Sequence, residues 1–234
     1  MVSVEWRGMA RAFAVSLPKW IGVIFVTAAL LSACGSPGGR LYETTSRKGD
    51  TRDSFFICHG YGCSYRAKAQ ITDPEWDLLR TIFTPPPQDA AAERKRISRA
   101  IAMFESIVGR KTGTAGDRSG AAILGKAGQL DCVDETVNTM TYLSFLEQDG
   151  LLRFHDIGKA VIRGNVINDW PSNTATIVDR ASGVTYTVDS YWHDNGEEPE
   201  IVLLAIWMDR CWLERPECRK LGPDEAVACC SAKR

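Results

Sequence analysis

Histidine is scarce in this sequence: His59, His155 and His193 are the only three among 234 residues. Base-dependent chemistry near neutral pH must therefore use one of them, because no other side chain titrates there unperturbed. Positive charge is not in excess either. The formal net charge is −1, with no basic stripe of the kind that marks a nucleic-acid binder, so that class is excluded. The longest apolar run, Trp20 to Ala33, is too short for a comfortable membrane span. The glycines at 113, 116, 120, 125 and 128 lack the lysine and serine of a phosphate loop. Cys58 and Cys63 have four residues between them and no histidine after the second, which excludes a c-type haem site. Cys211, Cys218 and the adjacent Cys229-Cys230 do not have the spacing of zinc-binding pairs. No cofactor is expected.

What is present begins with export. Arg7, Arg11 and Lys19 precede the apolar run, which ends in Leu31-Ser32-Ala33-Cys34-Gly35. Met9 offers a second start within the basic stretch. A basic region followed by a short apolar core and small residues reads as a signal peptide. Leu-Ser-Ala-Cys resembles the bacterial lipobox, which implies cleavage before Cys34 and acylation of its sulfur. Gly35, in place of aspartate, implies the outer membrane, with the domain on its periplasmic face. Acyl chains at Cys34 would hold a soluble domain at the lipid bilayer without a spanning helix. Residues 1–33 are thus read as signal peptide and 34–53 as a Gly-, Ser- and Arg-rich tether. Without residues 1–33, and so without Arg7, Arg11, Lys19 and Glu5, the chain holds 25 basic and 28 acidic residues. The hydrophobic fraction of the full chain, 44%, is that of a folded protein.

Export also governs the cysteines. With Cys34 assigned to lipid, Cys58, Cys63, Cys132, Cys211, Cys218, Cys229 and Cys230 remain, an odd number in an oxidising compartment. Proximity pairs Cys58 with Cys63 in a tight loop; a metal site from Cys58, His59 and Cys63 is the less favoured reading. Cys229 and Cys230 each reach back to Cys211 or Cys218, in either order. Cys132 is left as a free thiol.

The mature chain reads as α+β, a helical N-terminal half packed on an antiparallel sheet, with a disulfide-rich C-terminal tail. Phe55 to Cys58 is a short strand. Asp73-Pro74 opens a helix with Asp73 as its cap, and Pro85-Pro86-Pro87 stops it. A second helix runs from about Asp89 to Val108, with Gly109 as its C-terminal glycine. Residues 110–128 form a long mobile loop. A third helix spans about Cys132 to Gln148, capped by Asp131. Five strands follow: 151–157, 160–166, 174–178, 184–192 and 201–207. The folded domain is placed at 54–208 and the cysteine-rich cap at 209–234.

Cys132 lies in the first helical turn, behind a glycine-rich loop, where free amides and the helix dipole favour a thiolate. Asp134 and Glu135 in the same turn oppose that effect. Gln129, just upstream, is a candidate oxyanion donor. On Asp131-Cys132-Val133-Asp134-Glu135, and on the strands around Thr174–Val178 and Tyr186–Ser190, the chain resembles the transglutaminase-like bacterial cysteine proteinases. From about Cys58 to Trp207 it is also similar to a family of proteobacterial lipoproteins with no assigned activity. The resemblance implies a papain/transglutaminase-like core, a nucleophile at Cys132, an orienting acid at Asp189 and a histidine opening the strand near Thr174. That position reads Ser172-Asn173-Thr174. His155 and His193 are the candidate replacement bases. Two functions follow: a degenerate binding or structural module for an envelope protein or peptide, or a thiol-dependent amide hydrolase or acyl transferase acting through Cys132.

Overall fold

The computed structural model describes Tyr42 and residues 50–120, 126–165, 169–215, 217–218 and 223–231. The signal segment 1–33, Cys34 and most of the tether lie outside the described residues. Two strands come first. β1 (Phe55–His59) pairs antiparallel with β2 (Tyr65–Ala69), Phe55 opposite Ala69 and His59 opposite Tyr65. Alternation along β1 sends Phe55 and Ile57 into the core and Phe56 outward. The N-terminal half is therefore a hairpin plus helices, not helices alone.

α1 (Asp73–Thr81) begins at the expected cap itself, and its cap lies one residue earlier. Thr72 is the N-cap, and Glu75 accepts its backbone N–H at 2.8 Å. α2 (Ala90–Thr112) is capped by Asp89, whose carboxylate accepts from the Ala92 N–H at 2.7 Å. It continues a full turn past Gly109 and ends at Gly113, which adopts the left-handed conformation at φ 80°. Gly109 has a different use. A Cβ there would lie 2.7 Å from the Asn195 carboxamide oxygen and 3.0 Å from the Ala115 nitrogen, so the missing side chain admits two loops to the helix surface.

α3 (Cys132–Gln148) is capped by Asp131, which accepts from the Val133 and Asp134 amides at 3.0 and 2.9 Å. It is buried on most of its circumference, with polar residues such as Asp134, Thr136 and Asn138 inside as well as apolar ones. One side packs on α2, where the Phe104 and Tyr142 rings stack with centroids 4.8 Å apart. Another meets the sheet and β1, where Phe55 sets its edge to Phe145 at 5.0 Å. Ile97, Ile101, Leu143, Leu146, Ile177 and Val188 complete this core.

The larger sheet is antiparallel. Its order is β3 (His155–Ile157), β5 (Asp169–Asp179), β6 (Thr185–Asp189), β7 (Glu200–Leu203), with β4 (Val161–Asn165) also pairing with β5. β4 takes the first half of the long β5 and β3 the second half. Registers align Ala175 with Val188 and Val188 with Ile201. The last expected strand is cut short. Residues Leu204–Met208 form a helix, α4, which seats Trp207 at 0% exposure against β6. Two short helices follow, α5 (Cys211–Glu214) and α6 (Pro223–Ser231). Cys211–Cys230 joins these two helices and Cys218–Cys229 ties the segment between them to the second, which resolves the pairing left open by spacing. Cys58 pairs with Cys63, and Cys132 is free. No helix among the described residues is long and apolar enough to cross a membrane.

Candidate functional site around Cys132

The capping aspartate and the sheet together fix the position of Cys132. Its side chain faces the start of β5 and is 8% exposed. The sulfur lies 3.9 Å from the Pro171 carbonyl oxygen and 3.8 Å from the Asn173 Nδ2. These are long contacts of the kind sulfur makes. In them the S–H donates to the carbonyl and the sulfur accepts from the amide. The arrangement suits a neutral thiol. Burial pushes the thiol pKa up, and the carboxylates of Asp131 and Asp189 push it further, against hydrogen bonds from Asn173 that favour the thiolate.

Asn173 thus occupies the place beside the sulfur where the resemblance calls for an imidazole. An amide nitrogen donates a hydrogen bond but cannot take up the thiol proton. Asp189, on the neighbouring strand β6, is 2% exposed. Its Oδ2 accepts from the Trp207 indole N–H at 2.6 Å and its Oδ1 from the Tyr191 amide at 3.3 Å. Burial raises its pKa to about 6, while the Trp207 bond and the nearby Arg163 guanidinium act in the other direction. Arg163 lies 4.2 Å over the Trp207 ring and donates to the Trp207 carbonyl at 2.5 Å. The acid is oriented by an indole rather than by a histidine.

None of the three imidazoles is brought to the sulfur. His155 is fully buried, with Nδ1 2.9 Å from Glu93 and Nε2 3.3 Å from the Arg94 guanidinium. Because arginine only donates, Nε2 is the acceptor and Nδ1 carries the proton given to Glu93. Glu93 also accepts from the amides of Arg153, Phe154 and His155, so this cluster fastens β3 to α2. His155 pairs across the sheet with Asp179, six residues along β5 from Asn173. At the usual rise of a strand that is roughly 20 Å from the thiol site. The expectation that His155 approaches Cys132 from an adjacent strand is therefore corrected: it lies at the opposite end of the sheet. The His193 ring bonds Glu200, which raises its pKa, and lies 3.7 Å from Glu197. His59 stacks on Tyr65 and its Nδ1 accepts from the Gly128 amide at 3.2 Å; burial lowers its pKa.

Gln129 likewise has other partners. Its Nε2 donates to the Gly116 carbonyl at 2.8 Å and its Oε1 accepts from the Arg118 amide at 3.3 Å. It holds the loop after α2, and the amide brought to the sulfur belongs to Asn173 instead. That loop, expected to be mobile, is pinned at its described ends. Asp117 accepts from the Leu130 amide at 2.7 Å, and Arg118 pairs with Asp194.

Behind Cys132 lies a group of buried acids. Glu105 on α2, Asp117 in the loop, Asp134 and Glu135 on α3, and Asp189 on β6 influence one another electrostatically. Burial raises Glu105 to about 7, Asp117 to about 6 and Asp134 to about 7, and raises Glu135 well above the ordinary value. The Oε1 of Glu105 and the Oε2 of Glu135 have no hydrogen-bond partner. Among the described residues, the clusters tight enough to hold a metal ion are Cys211, Cys218 and Cys230; Cys58, Cys63 and Asp134; and Glu217, Cys218 and Cys229. Each contains sulfurs already joined in disulfides, which are not thiolate ligands.

No family model, curated protein or solved structure matches this chain.

Sequence reasoning placed Asn173 at the position of the missing histidine without giving it a role, and did not find Arg163, Trp207, Glu105 or Asp117. For Glu105 a signal existed. It follows Phe104 and lies four residues after Ile101, on the apolar stripe of α2, so a helical wheel places it inside. Arg163 and Trp207 depend on a packing that no local pattern encodes.

Proposed function

We propose that this chain is an exported lipoprotein whose papain/transglutaminase-like domain has lost its general base and serves as a binding or structural module in the cell envelope. The lipobox-like Leu31-Ser32-Ala33-Cys34 supports acylation at Cys34 and a position on the periplasmic face of the outer membrane. A helix that starts at a free cysteine and packs on an antiparallel sheet supports the finer fold, as do Asn173 and Asp189 on adjacent strands. The partner is an envelope protein or peptide. One observation carries the loss of activity: a carboxamide, not an imidazole, faces the Cys132 sulfur, while all three histidines are bonded elsewhere. Without a base, turnover falls by at least the general-base factor, about 10²–10⁴.

A second reading keeps an active thiol hydrolase or acyl transferase. It draws on the free cysteine in the first turn of a capped helix. The two readings differ in the pH dependence of Cys132 alkylation. The inert module predicts slow labelling by iodoacetamide that rises only toward alkaline pH. A plateau of fast labelling extending below neutrality would mean a preformed thiolate and would restore the enzyme.

A further inference from the structure

The loop between β1 and β2 is bound to the first turn of α3 by an unusual number of specific contacts. Gly60, Tyr61, Gly62 and Cys63 all adopt positive φ, at 81°, 72°, 63° and 60°. Two of these residues carry side chains, which disfavour that conformation. Successive amides in such a turn converge, and here they converge on the acids beside Cys132. Tyr61 and Cys63 donate to the two oxygens of Asp134 at 2.7 and 2.6 Å, and Gly62 donates to Asp131 at 3.0 Å. Gly60 donates to the Gln129 carbonyl at 2.7 Å. Cys58 exchanges both its backbone groups with the Asn138 carboxamide at 2.7 and 2.9 Å. Asp134 is completely buried, and its remaining partner is the amide of Asp131, the cap of the Cys132 helix. The Cys58–Cys63 bridge closes this turn.

We propose that the Cys58–Cys63 disulfide is a redox latch over the Cys132 site, opened by a dithiol reductant. Cys58 is 2% exposed, whereas Cys63 is half-buried and borders exposed Gly62 and Ser64, so Cys63 is the sulfur that a reductant reaches. A thiolate of the reductant attacks the Cys63 sulfur, and the bond to Cys58 breaks. Cys58 leaves as a thiolate and takes up a proton. The second thiol of the reductant then attacks its own partner sulfur, releasing Cys63 as a thiol and leaving the reductant as a disulfide. Two electrons pass to the protein. Once the bridge is gone, Tyr61 and Cys63 are free to leave the left-handed region. Asp134 then loses two of its amide donors and keeps only that of Asp131 for a buried carboxyl. The turn that carries Cys132 loosens with it. Tyr61 leaves as part of the same loop; its phenol lies near Tyr191, which in turn lies near the thiol.

The proposal rests on the preceding reading only in taking Cys132 as the ligand-facing position of this fold. It is tested on the full chain with a Cys58→Ser/Cys63→Ser variant and a Cys211→Ser/Cys230→Ser control, by timing iodoacetamide labelling of Cys132 with peptide mass spectrometry. The latch predicts labelling faster by about tenfold or more in the first variant, the signature of an easier local opening, and an unchanged rate in the control. An equal rate in all three proteins, or an equal rise in both variants, overturns it. If the first variant does not fold, the wild type is reduced with dithiothreitol under native conditions. Cys132 labelling is then compared between molecules with the Cys58–Cys63 bridge open and closed, and equal labelling overturns the latch. Failure of the preceding reading shows separately, as a fast plateau below neutral pH in the oxidised wild type.

Discussion

Replacing Glu105 with glutamine should stabilise this protein at alkaline pH and leave it nearly unchanged at mildly acidic pH. Glu105 is buried between α2, α3 and the loop around His193. Its Oε2 accepts from the Gly196 amide at 3.1 Å, and its Oε1 accepts from nothing. Its pKa is raised from 4.5 to about 7, chiefly by burial. A carboxyl whose folded pKa lies above its unfolded value binds protons more tightly when folded. Folding stability is therefore highest below the unfolded pKa and falls as pH rises toward the folded one. A shift of that size costs about 3 kcal/mol once the pH exceeds both values. Asp117, Asp134, Glu135 and Asp189 are raised in the same sense, and so is His193, so all of them steepen the decline. His59, whose pKa is lowered, opposes it. Glu75, Glu93 and Asp179 are lowered, so their contribution changes only in more acidic solution. Glutamine keeps an oxygen for Gly196 and removes a charge that acts on the Glu135 carboxyl. Urea unfolding with disulfides intact, at about pH 5 and about pH 8, measures the difference. The wild type should be less stable at the higher pH, and Glu105→Gln should recover a gap on the order of 2–3 kcal/mol. A wild type that is equally stable at both values, or a variant that keeps the full decline, would refute the reasoning.

Two further outcomes follow from the site and from the N-terminal segment. Asn173→His should pair an imidazole with Cys132 and bring its alkylation at neutral pH up by about tenfold or more, as histidine-paired thiols are acidified by several pH units; a rate equal to that of the wild type would mean that position 173 does not control the sulfur. Protein extracted from bacterial membranes should carry a diacylglyceryl group on Cys34 as its first residue, by intact-mass measurement; a product retaining residues 1–33, or lacking lipid, would remove the anchor.

Much of the scaffold could be read in advance because it is written locally. Asp131 caps α3 because a short acceptor before an apolar helix has few other uses, and spacing alone isolated Cys132 from six paired cysteines. The misread positions are those where a distant surface decides. Gly109 reads as a helix terminator but is a notch that receives Asn195. Leu204–Met208 has the composition of a strand, yet it coils so that Trp207 can reach Asp189. Glu135 reads only as a first-turn charge beside Cys132, and nothing local shows that the fold buries it. His155 has strand-like neighbours that say nothing of Glu93, sixty-two residues earlier in the chain, which claims its ring. Side chains whose partners lie far off in sequence carry no local mark.

The indole that Trp207 sets on Asp189 bears on what a thiol hydrolase built on this site would require. The aromatic wedge packs against a segment stapled by two cystine links, so it does not swing aside readily. An imidazole introduced at position 173 would meet the sulfur, while the Asp189 carboxylate stays engaged by the indole. Acidity would return to the thiol without the third member that steers a ring through a reaction cycle. Building a hydrolase on this site thus takes at least two changes, one at position 173 on β5 and one at Trp207 on α4, because neither alone supplies both a base and a free orienting acid.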